Sequence, residues 1–307
     1  MNYDKRILKS GTLAVAVTIA FAIFISRAAE WSKGLNSEMI VIGQSTNSGG
    51  GGGDTCSTGS SGTGTVQTTK IIPQMALGSF DNGLTKYTTI IQIVNTGNAA
   101  QSVAGNFYKQ DGSALTAALT AGGTTINNGV LNSTNIPAGA IFVIRGGGTT
   151  DAGVTGWARL QYCASLTIST FFELRDGRPN MDVLYSRVGV AASAPNMQSF
   201  VIPRVREVAT GLDVGFALVN TGTSPANLTI ELKDATGATV AGGSTTLVFG
   251  PGQHIAKFTK DHFPSVVDGT GRVYQYLKFT SQSASFAAVG LAFEGANQTS
   301  VPVDALQ

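Results

Sequence analysis

The sequence predicts an all-β protein: two tandem Ig-like antiparallel β-sandwich domains behind an N-terminal signal or anchor helix and a Gly/Ser-rich linker. Three observations carry that expectation. Charged residues are only 12% of the 307 residues against 42% hydrophobic, and Gly, Thr and Ser fill much of the rest. Such a composition favours sheet over helical bundles. Short alternating apolar stretches recur between turn signals with almost no helical period. Finally, one module is written twice. Ile71-Ile72-Pro73 leads to TTIIQIV and Asn95-Thr96-Gly97, and Ser199–Asn220, SFVIPRVREVATGLDVGFALVN, repeats the order and closes on Thr221-Gly222. A strand and a turn follow each copy, Lys109-Gln110-Asp111-Gly112 in the first and Lys233 to Gly237 in the second.

Residues 1–28 have the three parts of an export signal. Lys5, Arg6 and Lys9 form a basic flank, Gly11 to Ile25 is a mostly apolar run, and Ser26-Arg27-Ala28 offers small residues at a cleavage site. The run is short for a membrane span. Two readings stand: a cleaved signal peptide, or a retained anchor whose basic flank stays cytoplasmic. Both place the following chain outside the cytoplasm, secreted, periplasmic or at the cell surface. Contact with membrane is then expected only through this segment.

Residues 29–69 read as a flexible linker, with STNSGGGGGDTCSTGSSGTGTVQTT at its heart. It holds Cys56; the other cysteine, Cys163, lies in the strand-like LQYCASLTI. An exported chain permits one disulfide between them, pinning the tether to the first domain. The alternative is a buried free Cys163 and a Cys56 open to intermolecular pairing.

Residues 70–195 form the first expected sandwich. Its strands are Thr88–Val94, Ser102–Lys109, AIFVIR, Gly156–Tyr162, Ser165–Leu174 and Met181–Val190, with turns at Asp111-Gly112 and Asn127-Asn128-Gly129. Glu173-Leu174-Arg175-Asp176-Gly177-Arg178 reads as a solvated hairpin rather than a catalytic carboxylate pair, which needs a pocket. Residues 196–307 form the second. Its strands are Phe200–Val205, Asp213–Asn220, Asn227–Lys233, Thr239–Ala241, Thr245–Phe249, Gly271–Thr280, Phe286–Phe293 and Ser300–Val303. HIAKFTKDHFPSV reads as one or two turns of helix plugging the sandwich, ended by Pro264.

The Asn-Thr-Gly strand, GPGQHIAKFTKDHFP, YLKFTSQSASFAAVGLAFEG and the terminal TSVPV resemble exported bacterial β-sandwich repeat proteins of unknown function. In that group a Gly-rich turn leads to a Phe-x-x-x-x-Phe-Pro segment, matched by Phe258, Phe263 and Pro264. A late strand of FAAVGL type is matched by Phe286 to Leu291. The resemblance covers Phe200 to Val303; the first domain shares only its Asn-Thr-Gly, Pro-x-Gly and late-strand features. It implies an exported sandwich and no catalytic residue. It also implies a bacterial source, in which the glycosylation sequons at Asn132, Asn227 and Asn297 go unused.

The formal charge is +2, with no basic cluster beyond the N-terminus, so no nucleic-acid footprint is present. His254 and His262 stand apart without neighbouring cysteines, and no nucleophile elbow or phosphate loop occurs. Asp81-Asn82-Gly83 and Asp268-Gly269 read as turns before calcium ligands. No enzyme activity and no cofactor are expected. The functional expectation is a structural or interaction, adhesin-like protein that meets envelope or extracellular protein or polysaccharide, or itself through sheet edges. The alternative is a carbohydrate-binding module using Trp157, Tyr274 and Tyr276, provided those rings share an exposed face.

Overall fold

A computed structural model describes residues 67–307, apart from 118, 147–152, 164, 179, 182, 191–192, 194–195, 284 and 307. The export segment, most of the linker and Cys56 lie outside the described residues. The protein is all-β with antiparallel sheets. Its first half contains β1 (Gln67–Phe80), β2 (Thr85–Asn95), β3 (Gln101–Lys109), β4 (Leu119–Ala121), β5 (Thr124–Ile126), β6 (Val130–Ile136), β7 (Ile141–Gly146), β8 (Val154–Cys163), β9 (Leu166–Asp176) and β10 (Leu184–Val190). The second contains β11 (Ser199–Glu207), β12 (Asp213–Asn220), β13 (Ala226–Lys233), β14 (Thr239–Phe249), β15 (His254–Phe258), the single helical turn α1 (Thr259–His262), β16 (Arg272–Ser281), β17 (Phe286–Glu294), β18 (Asn297–Val301) and β19 (Asp304–Ala305).

The written repeat is a repeat of topology. In the first half β6-β3-β8-β1 forms one layer and β7-β2-β9-β10 the other; in the second, β14-β13-β16-β11 and β15-β12-β17-β18 match them strand for strand. The first half adds the hairpin β4-β5 beside β7, the second adds β19 beside β11, and the two differ again in the course of their first strand. β1 pairs with β8 through Leu77, then bends to pair with β2 over Gly78–Phe80, which merges the first half into one partly closed ten-stranded sheet. Gly78 has a φ of 86°, a conformation glycine takes without penalty, and it sits at that bend. The order also departs from an immunoglobulin sandwich, where the first strand neighbours the second. Here β11 lies beside β16, and β12 belongs to the opposite layer.

Asn-Thr-Gly recurs because each residue closes a fixed set of hydrogen bonds. Asn95 and Asn220 are both fully buried. The Asn95 amide donates to the Ile136 and Ala99 carbonyls, and its oxygen accepts from Gly97 N–H. Asn220 does the same with Phe249, Ser224 and Gly222. The threonines Thr96 and Thr221 donate to the carbonyls of Ser165 and Ser285, ahead of β9 and β17. One side chain thus ties a strand end to the Pro-x-Gly turn some 30–40 residues on.

The halves share a core. Along β12, Val214, Phe216 and Leu218 point into the second half's own core. Ala217 and Val219 point the other way, with Val289, Leu291 and Phe293 of β17, against Phe172, Val188, Val190 and Ile71 of the first half. β12 is consequently buried at every position. Strands covered on both faces read as near-continuous apolar runs, as DVGFALVN and FAAVGLAF do. Polar contacts lock the same junction. Arg159 donates to the Thr221 carbonyl at 2.7 Å, and His254 N–H donates to the Gln110 carbonyl at 2.8 Å. The turn glycines Gly112 and Gly252 touch: a Cβ on Gly252 would stand 3.2 Å from the Gly112 Cα.

Two local expectations are corrected. HIAKF is strand β15, and the helix is only the one turn TKDH. Phe258 packs into the junction and Phe263 into the second core, so the segment fastens both rather than capping one. Thr239–Ala241 and Thr245–Phe249 are one strand, β14, whose register on β13 shifts beside Gly242-Gly243.

Candidate interaction surfaces

The rings expected to form a sugar-binding face do not come together. Trp157 is only 3% exposed; it stacks on Tyr108 at 4.2 Å and donates its indole N–H to the Gly252 carbonyl across the junction. It is an anchor between the halves and presents no ring to a sugar. Tyr274 and Tyr276 do share the outer face of β16. Tyr274 is 62% exposed and Tyr276 half-buried, and their cross-strand partners on β11 are Val205 and Pro203. Two residues apart on a strand, the rings are about 7 Å apart along the face. The pairs Arg272–Glu207 and Lys233–Glu231 flank them.

Cys163 is buried and has no disulfide partner among the described residues, with its thiol 3.7 Å from Ser102 Oγ; a bond to Cys56 falls outside the described residues. Asp268 is taken by Arg204 and Arg206, and Asn82 occupies a left-handed turn conformation. Among the described residues no group of three or more His, Cys, Asp or Glu is placed to hold a metal ion, and no helix is long and apolar enough to cross a membrane. Asn132, Asn227 and Asn297 are exposed.

The Glu173–Arg178 cluster is not a solvated hairpin. Glu173 is 1% exposed on the outer face of β9, where its Oε1 accepts from Arg187 and its Oε2 from Arg175, with Arg145 at 3.7 Å. Burial raises the Glu173 carboxyl, but the hydrogen bonds from Arg187 and Arg175 outweigh it and hold the pKa below the usual value. The Arg178 guanidinium holds Asp176 well below the usual carboxylate range against burial, and Tyr185 O–H donates to it as well. Sequence reasoning missed this site because Arg145 and Arg187 arrive from β7 and β10 through sheet pairing. The one available signal was the pair of isolated arginines at alternating, outward positions of those strands.

A second charged network lies inside the other half. Arg204, 1% exposed, donates to Asp213 at 3.0 Å, to Asp268 at 3.1 Å and to Gln275; Arg206 joins through Asp268. Nearby, burial raises the Asp261 carboxyl and lowers the Lys260 amine. At the junction, an apolar cavity of about 30 Å³ lies between Gln74 and Phe258, Leu291 and Phe293, room for about one water.

The histidines set an acid limit. Burial pushes His254 down to about 3, with the Pro73 carbonyl opposing, and burial, aided by Lys257, pushes His262 down to about 4. Both are neutral in the fold, so below about pH 6.5 the unfolded chain binds protons that the folded chain does not. Stability is full above that pH and falls as pH drops through the window toward 4 and 3. His254 alone removes about 2–3 kcal/mol by about pH 4.5. Urea titrations at neutral and acidic pH check this: His254→Leu should flatten the acid loss, and an unchanged slope would show that the imidazole does not cause it.

No family model and no curated protein matches the chain. Among solved structures, allantoicase from Saccharomyces cerevisiae aligns over 67% of this chain and 73% of its own, at 9% identity and a TM-score of 0.15. A likeness that slight carries no argument about fold or activity.

Proposed function

We propose that this is an exported, non-catalytic structural or interaction protein of the cell surface, two tandem sandwiches held out on a tether. The export assignment rests on residues 1–28. One observation supports the interaction role above others: the side chains best suited to chemistry are engaged internally, whereas Tyr274 stands on an open sheet face. Glu173, Asp176, Asp213 and Asp268 are each clamped by arginine. His254 is buried. Tyr274, Tyr276, Pro203 and Val205 together make a flat, mostly apolar platform with charged flanks.

That platform also favours a second reading, a carbohydrate-binding role through Tyr274 and Tyr276 without Trp157. Amphipathic rings on a rigid sheet suit the C–H face of a sugar or the side chains of a partner protein. Sedimentation of the purified protein with envelope material from its own source tests the proposal. Retention that drops with Tyr274→Ala supports the platform. A protein that stays in the supernatant, or that is retained equally as the alanine variant, overturns it.

A further inference from the structure

We propose that the outer edge of β14 is a self-association site, where residues 244–249 pair antiparallel with the same strand of a second copy of this chain. The inference rests on the exported interaction reading and names a surface that does not involve Tyr274. β14 is the last strand of its layer and, among the described residues, pairs only with β13. From Ser244↔Glu231 to Phe249↔Ala226 that pairing is unbroken, so alternate residues of the run turn their N–H and C=O groups away from β13. Such a row is a template for another strand unless something blunts it.

The comparable edges are protected. β6 is bulged against β3 between Val103 and Gly105. β5 and β19 are only three and two residues long. β15 carries Lys257 and donates its His254 N–H to the Gln110 carbonyl of the first half, while β18 and β10 lie against each other. β14 is closed only near its start, where a Cβ on Gly242 would stand 2.7 Å from the Ser265 Oγ. Past Gly243 the run STTLVF holds no charge and no proline. High β-propensity without either is the composition that joins edge to edge. Its apolar atoms are open as well: Val248 is 67% exposed, and Leu247, on the inner face, is half-buried against the second core.

The strand's own copy is the partner that fits. Two uncharged strands meet without like charges facing each other, and the nearest charges on β13, Glu231 and Lys233, neutralise one another at 2.8 Å. A two-fold axis beside Thr246 keeps the whole regular run paired. It sets each Thr246 opposite the other, each Val248 opposite a Ser244, each Leu247 opposite a Thr245 and each Phe249 opposite a Gly243, so large side chains lie over small ones. Thr246 Oγ1 already meets Thr229 Oγ1 on β13 at 3.0 Å, and the axis carries this hydroxyl ladder into the second sheet. The contact is isologous and therefore closes at a dimer. An edge of this length is smaller than a standard interface, so the dimer forms where chains are concentrated, as tethers on one surface would concentrate them.

Disulfide trapping on the full chain, with Cys56→Ser to remove the tether thiol, tests the assignment. Thr246→Cys should give a disulfide-linked dimer under mild oxidation, because directly opposite residues lie about 4.5–5.5 Å apart. Asn227→Cys, exposed on β13, should not, since at least about 14 Å of sheet separates it from its counterpart. Sedimentation without oxidation should show a concentration-dependent dimer that Thr246→Lys weakens about tenfold. Mixing Thr246→Lys with Thr246→Glu should restore it, which a misfolded variant could not do, and Tyr274→Ala should leave it unchanged. Equal trapping of the two cysteines, no trapping through Thr246→Cys, or a dimer indifferent to Thr246→Lys overturns the proposal. So does a disulfide within one chain between Thr246→Cys and a retained Cys56, which would give the edge to the tether. If trapping fails yet envelope retention still depends on Tyr274, only this edge contact is lost; if both fail, the interaction reading falls with it.

Discussion

Arg204→Leu should destabilise the protein by about 3–5 kcal/mol, close to the whole stability of many single domains. The arginine is 1% exposed and satisfies two carboxylates and an amide. Removing it strands Asp213, which is fully buried and otherwise accepts only the Val214 N–H. A lone charge in that position cannot recover its hydration. Pairing the change with Asp213→Leu should restore most of the loss, because Asp268 keeps Arg206. Urea denaturation of the single and double variants decides it. A single variant within about 1 kcal/mol of the parent would mean that water reaches Asp213 and that the pair contributes little.

Val289→Asp should split one unfolding transition into two. Val289 lies on the face of β17 that meets the first half, alongside Phe172, Val188 and Phe293. An unpaired carboxylate there costs about 3–5 kcal/mol and falls wholly on the junction. The parent should melt as one cooperative unit, since the second half leaves a face of β12 and β17 uncovered without its neighbour. Calorimetry on the parent and variant shows whether the halves act together. Two transitions in the parent would make the junction a weak contact between independent modules.

Much of the architecture could be read from local signals. Asn95-Thr96-Gly97 and Asn220-Thr221-Gly222 gave away the duplication because their hydrogen bonds demand those residue types at those spacings. The turns at Asp111-Gly112 and Asn127-Asn128-Gly129 were visible because left-handed backbone requires glycine or asparagine, and Gly112, Asn128 and Gly129 all adopt it. What escaped was long-range. Alternation alone predicts one wet face per strand, yet β12 and β17 are dry on both, and their continuous apolar runs were the neglected sign. The place of Trp157 at the junction is not legible locally, because its stacking partner, Tyr108, and its acceptor, Gly252, are far away in sequence. The cluster at Glu173 escapes local reading for the same reason. Its counter-charges arrive across the sheet, and no neighbour in the chain announces them.

The bend in β1 has a mechanical consequence. Tension transmitted through the residues before Gln67 enters the fold along β1, whose bonds to β8 run from Gln67↔Cys163 to Leu77↔Val154. Antiparallel bonds lie perpendicular to the strand, so a pull along its axis loads the whole row in shear instead of opening it one rung at a time. Past Gly78 the same strand is stitched to β2, which passes the load into the opposite layer. A molecule dragged by its leading end would therefore resist as a clamp, with the arginine-bearing face on the layer that takes up the strain last.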